Sequence, residues 1–182
     1  MNWTIPGTTL EGQRENADQL ESKFQSMFLA GGLTLSQVSA ITGLENHTIQ
    51  NWVKRGFLTP PRNKRYDMEQ VCRIINMNLL KGSLPLEQIC SLMSWLNGCL
   101  SDESDDLVDD TMLYFMFVRL AARARYIGGT KSWDDALTEI TESYAEPVPG
   151  AREKLIHVLK IMLTVWVANT LRLRAEEMIA TL

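Results

Sequence analysis

Apolar positions recur at helical spacing along most of the chain, and the pattern is most informative between residues 33 and 58. Leu35, Val38 and Ile41 fall on one face of a short helix capped by Thr34, with Gln37 three residues on to complete a capping box. Gly43 stands where that helix must stop, because a residue free to enter left-handed backbone lets the chain reverse. Leu44 then plugs the turn. From residue 45 to 55 a second helix turns Ile49, Trp52 and Val53 inward and leaves Asn46, His47, Gln50, Asn51 and Lys54 outward.

The same periodicity divides the rest of the chain. Residues 1–32 form an extended lead-in followed by a helix over 15–30, where Leu20, Phe24, Met27 and Phe28 share a face and Gly31-Gly32 ends it. Asp67 and Gln70 form a second capping box, opening a helix with Val71, Ile74, Ile75 and Leu79 as its stripe. Another helix over 86–96 repeats the stripe with Ile89, Leu92, Met93 and Leu96, and Asn97-Gly98 stops it. Residues 33–100 thus read as one domain. Residues 101–110 carry six acidic residues and no base, the composition of a linker. Residues 111–182 read as a three-helix domain, with helices over 110–127, 132–144 (capped by Ser132 with Asp135) and 151–182. The expected fold class is mainly all-α.

A short helix, a glycine turn and a helix with a polar outer face make a helix-turn-helix. A polar face alone serves solubility, and the combination is what points to DNA. Amides pair bidentately with adenine, and cations meet guanine or phosphate, so Asn46, His47, Gln50 and Asn51 are expected at base edges. Beyond Thr59-Pro60-Pro61, the basic loop Arg62-Asn63-Lys64-Arg65 has the chemistry to lie along a phosphate backbone. Thr48, Lys54, Arg55, Arg62, Lys64, Arg65 and Tyr66 are the expected phosphate contacts, and Tyr66 is also expected to pack this wing on the helices.

Gly43, Thr48, Ile49, Trp52, Gly56, Leu58 and Pro60 match, without a gap, the first helix-turn-helix of the MerR superfamily of bacterial regulators. Arg65-Tyr66-Asp67 resembles the end of that family's wing, and the run from Gly82 to Met93 resembles its next helix. The likeness covers about residues 33–96 and implies a winged helix-turn-helix domain. The wing here is shorter than the family pattern, and His47 and Gln50 stand where arginines are frequent, which implies a different target sequence. The whole chain also resembles a group of uncharacterised bacterial proteins with this domain in front and a helical tail.

Charge sharpens the division. The net charge is −4 over 182 residues, which by itself disfavours a nucleic-acid binder. Residues 45–85 hold seven bases against three acids, a surplus of four, so the remainder carries −8. A basic module on an acidic body suits a protein that meets phosphate with one face. Three cysteines without C-x-x-C spacing point to a reduced, cytoplasmic protein with no metal centre. No signal peptide opens the chain, and the most apolar run, 161–168, is shorter than a membrane span, so no membrane association is expected. No cofactor-binding or nucleophile motif occurs, so no enzymatic activity is expected.

In the tail, Leu155, Leu159, Met162, Trp166, Asn169 and Leu173 alternate at three and four residues, and Leu155, Leu159, Met162, Trp166 and Leu173 are the expected seam of a homodimer reading two half-sites of double-stranded DNA. Tyr114, Phe115, Met116, Phe117, Met162 and Trp166 supply the walls for a small-molecule effector site, or simply a packed core. Two other functions remain open at this point. One is a protein-interaction module that keeps the helix-turn-helix shape without DNA. The other is a small Mg²⁺ enzyme using the D-D-x-x-D spacing of Asp105, Asp106 and Asp109.

Overall fold

Both expected capping boxes form. Thr34 accepts from the Gln37 backbone N–H while its own N–H donates to Gln37 Oε1 at 2.9 Å, and Asp67 and Gln70 exchange the equivalent pair at 2.8 and 3.1 Å. Each box satisfies N–H groups that a helix start would otherwise leave orphaned. The computed structural model describes residues 2–98, 100, 106–124 and 133–182, and within them the protein is mostly helical.

Strand β1 (Asn2–Thr4) pairs antiparallel with β2 (Glu11–Gln13), and a single 3-10 segment (Arg14–Gln19) leads into α1 (Leu20–Met27). Strand β3 (Leu33–Thr34) runs into α2 (Leu35–Thr42), which α3 (Asn46–Lys54) follows. Strand β4 (Arg65–Tyr66) pairs antiparallel with β3, Leu33 opposite Tyr66 and Thr34 opposite Arg65. Then come α4 (Met68–Leu80), α5 (Leu86–Asn97), α6 (Asp110–Arg123), α7 (Trp133–Ile140) and α8 (Ala151–Ala180). The N-terminal segment differs from expectation: its first residues form a hairpin, and the helix is shorter because the chain passes through the 3-10 segment first. The Ser132 cap expected for α7 lies outside the described residues, as do Cys99 and residues 101–105 of the acidic run.

One apolar cluster spans the chain from Trp3 to Val167. Its centre is α6, where Leu113, Tyr114, Phe115, Phe117 and Val118 are at most 1% exposed and pack against α4, α7, α8 and the 3-10 segment. Phe24 of α1 meets Tyr114 and Phe115 at centroid separations of 6.0 and 5.6 Å, and the Tyr114 hydroxyl donates to the Pro6 carbonyl at 3.1 Å. The N-terminal helix therefore packs on the tail's central helix. Of the residues weighed as walls of an effector cavity or as a packed core, Tyr114, Phe115, Phe117 and Met162 are packed core.

Within 106–110, the described part of the expected linker, two residues are packed against the rest of the chain. Val108 is 3% exposed, and the buried Asn97 side chain clips it by accepting from its N–H and donating to its carbonyl. Asp110 pairs with Arg73 of α4 at 3.0 Å, with side chains 8% and 11% exposed, and Asn76 also donates to its carboxylate. Burial raises the Asp110 carboxyl's pKa against the opposing pull of Arg73 and Asn76. Asp109 spends its carboxylate on the α6 cap, accepting from the Met112 N–H at 2.7 Å. These carboxylates of the acidic run thus point to different partners, and Asp105 lies outside the described residues.

Three of the five residues expected at a dimer seam are interior. Leu155, Leu159 and Met162 are at most 1% exposed, covered by helices of their own chain. Trp166 is half-buried against Phe117, Asn169 accepts from Ser83 and donates to the Leu79 carbonyl, and only Leu173 is open. Helix α8 is the one described helix long and apolar enough to cross a membrane, with a mean hydropathy of 1.3 over its best window. Of that window, 39% is buried inside the protein.

Removing one member of a buried ion pair strands the other. Asp110→Ala should therefore cost about 3 to 5 kcal/mol in urea unfolding, whereas the double replacement Arg73→Met with Asp110→Leu should recover most of that loss.

Candidate nucleic-acid interface

Helices α2 and α3 are set by contacts that begin at Gly43. Its φ is +70°, the left-handed conformation that ends α2, and its N–H donates to the Ser39 carbonyl at 2.8 Å. Ser39 Oγ in turn donates to the Leu44 carbonyl at 2.6 Å, locking the turn. Asn78 of α4 donates to the carbonyls of Thr42 and Gly7, at 2.8 and 2.9 Å, tying this corner to the N-terminal loop. Ile49 and Trp52 anchor α3 in the core at 0% and 5% exposure. Asn46, His47, Gln50, Asn51 and Lys54 are all exposed, and Thr48 and Val53 are half-buried at the edges.

After α3, Gln70 Nε2 donates to the Thr59 hydroxyl at 2.8 Å and to the carbonyls of Thr59 and Pro60, fixing the proline segment over the start of α4. The basic loop is a two-residue turn closed by an Arg62–Arg65 bridge. Asn63 and Lys64 have φ of +51° and +61°, the pattern of a primed type I turn, whose twist matches the strands it joins. Gly32 lets the β3 side approach: a Cβ there would sit 2.7 Å from the Tyr66 carbonyl oxygen.

Tertiary contacts sort the expected phosphate contacts. Tyr66 is 3% exposed and burial raises its phenol pKa, so it packs the turn onto the helices and is not a surface donor. Arg65 donates to the Gly32 carbonyl at 2.8 Å. Arg55 lies over the Phe57 ring and pairs with Glu87 at 2.7 Å. A hydrogen bond from its own backbone N–H and one from Arg55 hold the Glu87 carboxyl below the usual carboxylate range. Among the described residues, Lys54, Arg62 and Lys64 make no ion pair.

A cavity of about 350 Å³ opens between α3 and the turn, lined by Leu35, Gln50, Val53, Pro61, Lys64 and Tyr66. Gln50 and Lys64 are therefore neighbours across one opening. Sequence reading missed this cavity, the Glu87 partner of Arg55 and the Gly32 partner of Arg65. Each joins positions about thirty residues apart or lies between elements, and no local pattern reports that.

Residues 19–117 match the family model described as "Domain of unknown function (DUF1836)". The chain belongs to the DUF1836 family. The match begins at the edge of α1 and ends inside α6, so the DUF1836 unit crosses the acidic run. The uncharacterized protein YkrK of Bacillus subtilis (strain 168) is 30% identical over 125 residues, covering 66% of this chain and 54% of that protein. The chain thus spans about half the length of this curated relative. No solved structure matches.

Left-handed backbone is costly for a lysine and free for glycine. Lys64→Gly creates the Asn-Gly pair that a primed turn favours and should stabilise the fold by about 1 kcal/mol, read as an upward shift of the urea midpoint.

Proposed function

We propose that the protein is a sequence-specific DNA-binding protein, a transcriptional regulator acting as a homodimer through a MerR-like winged helix-turn-helix. In this reading α2 and α3 are the two helices, α3 enters the major groove, and the turn at Asn63-Lys64 is a short wing. The observation that best supports it is the meeting of Gln50 and Lys64 at one opening, so the amide face of α3 and the basic turn look the same way. Asn46, His47, Gln50 and Asn51 then read base edges, while Lys54, Arg62 and Lys64 meet phosphates. Arg55 and Arg65, already engaged by Glu87 and Gly32, contribute less, so only a few phosphates are neutralised.

A second reading, a protein-interaction module, is favoured by the apolar walls Leu35, Val53, Pro61 and Tyr66 of the same cavity and by the acidic total. Fluorescence anisotropy with a duplex from the protein's own upstream region and with a scrambled duplex, across salt, separates the two. The DNA reading expects preference for the first duplex and a linear fall of log affinity with log salt. Absence of binding to any genomic fragment at low salt would remove it.

The residues divide by role. Gln50→Ala should lose about 1 to 3 kcal/mol at one base step and leave non-specific binding intact. Arg62→Ala and Lys64→Gly should weaken all sequences alike and each lower the salt slope by about one.

A further inference from the structure

The N-terminal loop, the end of α4 and the second half of α8 border a recess of about 980 Å³, at the upper end of what a small organic molecule occupies. Its walls are fixed. The Tyr114 hydroxyl and the Asn78 amide hold the carbonyls of Pro6 and Gly7, and the Thr8 hydroxyl donates to the Ile5 carbonyl at 2.9 Å. On the α8 side, a Cβ at Gly82 would sit 2.7 Å from Asn169 Oδ1, and the Asn169 amide donates to the Leu79 carbonyl at 3.2 Å. Trp3, Ile5, Leu79 and Trp166 give the recess an apolar lining. Two features of its walls are unsatisfied. The indole N–H of Trp3 is buried and has no hydrogen-bond partner among the described residues, a costly state for a donor. Lys81 and Arg174 also line the recess and make no ion pair among the described residues, while Arg172 is spent on Glu176. Burial lowers the Lys81 pKa, because its ammonium loses water without gaining a carboxylate. Against these three bases the lining holds one acid, Glu177.

We propose that the recess binds an organic monoanion, whose acyl or aromatic body lies among Trp3, Ile5, Leu79 and Trp166 and whose carboxylate supplies the acceptor and the counter-charge that Trp3 and Lys81 lack. The lining disfavours simpler occupants. An inorganic anion would satisfy the bases and leave the apolar walls in water, whereas a neutral hydrocarbon would cover those walls and strip the Lys81 ammonium further. A cation would meet three bases. The loop that forms one wall continues into Thr9, whose hydroxyl donates to the Ala40 carbonyl at 2.6 Å and whose N–H donates to the Ile41 carbonyl at 2.7 Å. An occupant therefore touches the same segment that holds the end of α2. The site rests on the packed fold and not on the DNA reading.

Titration of the isotope-labelled full chain with decanoate and with naphthylacetate, followed by the indole N–H signals in nuclear magnetic resonance spectra, tests it. The chain has five tryptophans and so five such signals, and Trp3→Phe identifies the Trp3 signal as the one it removes. Decanoate, naphthylacetate or both should move that proton saturably downfield, as expected of a donor that gains an acceptor, and the tighter of the two assigns the body as acyl or aromatic. Decanol, naphthylacetamide and acetate each lack half of the required chemistry and should bind about tenfold or more weakly. Lys81→Met and Arg174→Met should each raise the dissociation constant about tenfold with unchanged circular dichroism, since both residues are exposed. Silence with both anions, a response that spares the Trp3 signal, equal affinity for the neutral analogues or for acetate, or wild-type binding by both methionine variants would each overturn the proposal. A chain that binds these anions and no duplex keeps this site and loses the DNA reading, and a chain that discriminates duplexes and ignores the anions does the reverse.

Discussion

The buried pair of Arg73 and Asp110 is the joint on which the two halves of the chain depend. Arg73 reaches both ways: its Nη1 donates to Asp110 at the start of α6, and its Nε donates to the Phe57 carbonyl just after α3. One guanidinium therefore links the loop behind α3 to the central helix of the tail. Both charges are nearly out of water, where an unpaired one would cost several kcal/mol, so the halves cannot separate at this point without exposing or stranding a charge. Around the pair, Asn76 and Asn97 satisfy the neighbouring backbone and carboxylate groups, and the apolar faces of α4 and α6 close over them.

That joint changes how the basic face should be regarded. Helix α3 and its turn are held rigidly on an acidic, helical body, so any partner they meet is presented at a defined angle to α8. The same tertiary contacts reduce the charge available to a partner. Glu87, thirty-two residues from Arg55, offsets that arginine, and a backbone carbonyl holds Arg65.

Much of the local structure was legible in the chain. The two capping boxes, the left-handed Gly43 and the inward Ile49 and Trp52 arise from interactions within four residues or from a single helical period, and residue order is enough to specify those. At Val108 and Asp110 the acidic run misled because composition reports solvation on average and says nothing of individual groups. Asp110 was bound for a guanidinium thirty-seven positions away, and Val108 for a clip by Asn97. The seam on α8 misled for a related reason. The three-four spacing of Leu155, Leu159 and Met162 is the same whether the covering helix comes from the same chain or another, and α4, α5, α6 and α7 supplied it from within.

The sequence by itself determined the helices, their caps, the turn after α2 and the outward amide face of α3, because each depends on the order of near neighbours. Only the tertiary structure decided which charges remain open, that Val108 and Asp110 join the core, and which face of α8 is left uncovered. Those outcomes depend on pairs far apart in the chain, brought within a few ångströms only when the apolar surfaces of several helices are buried together.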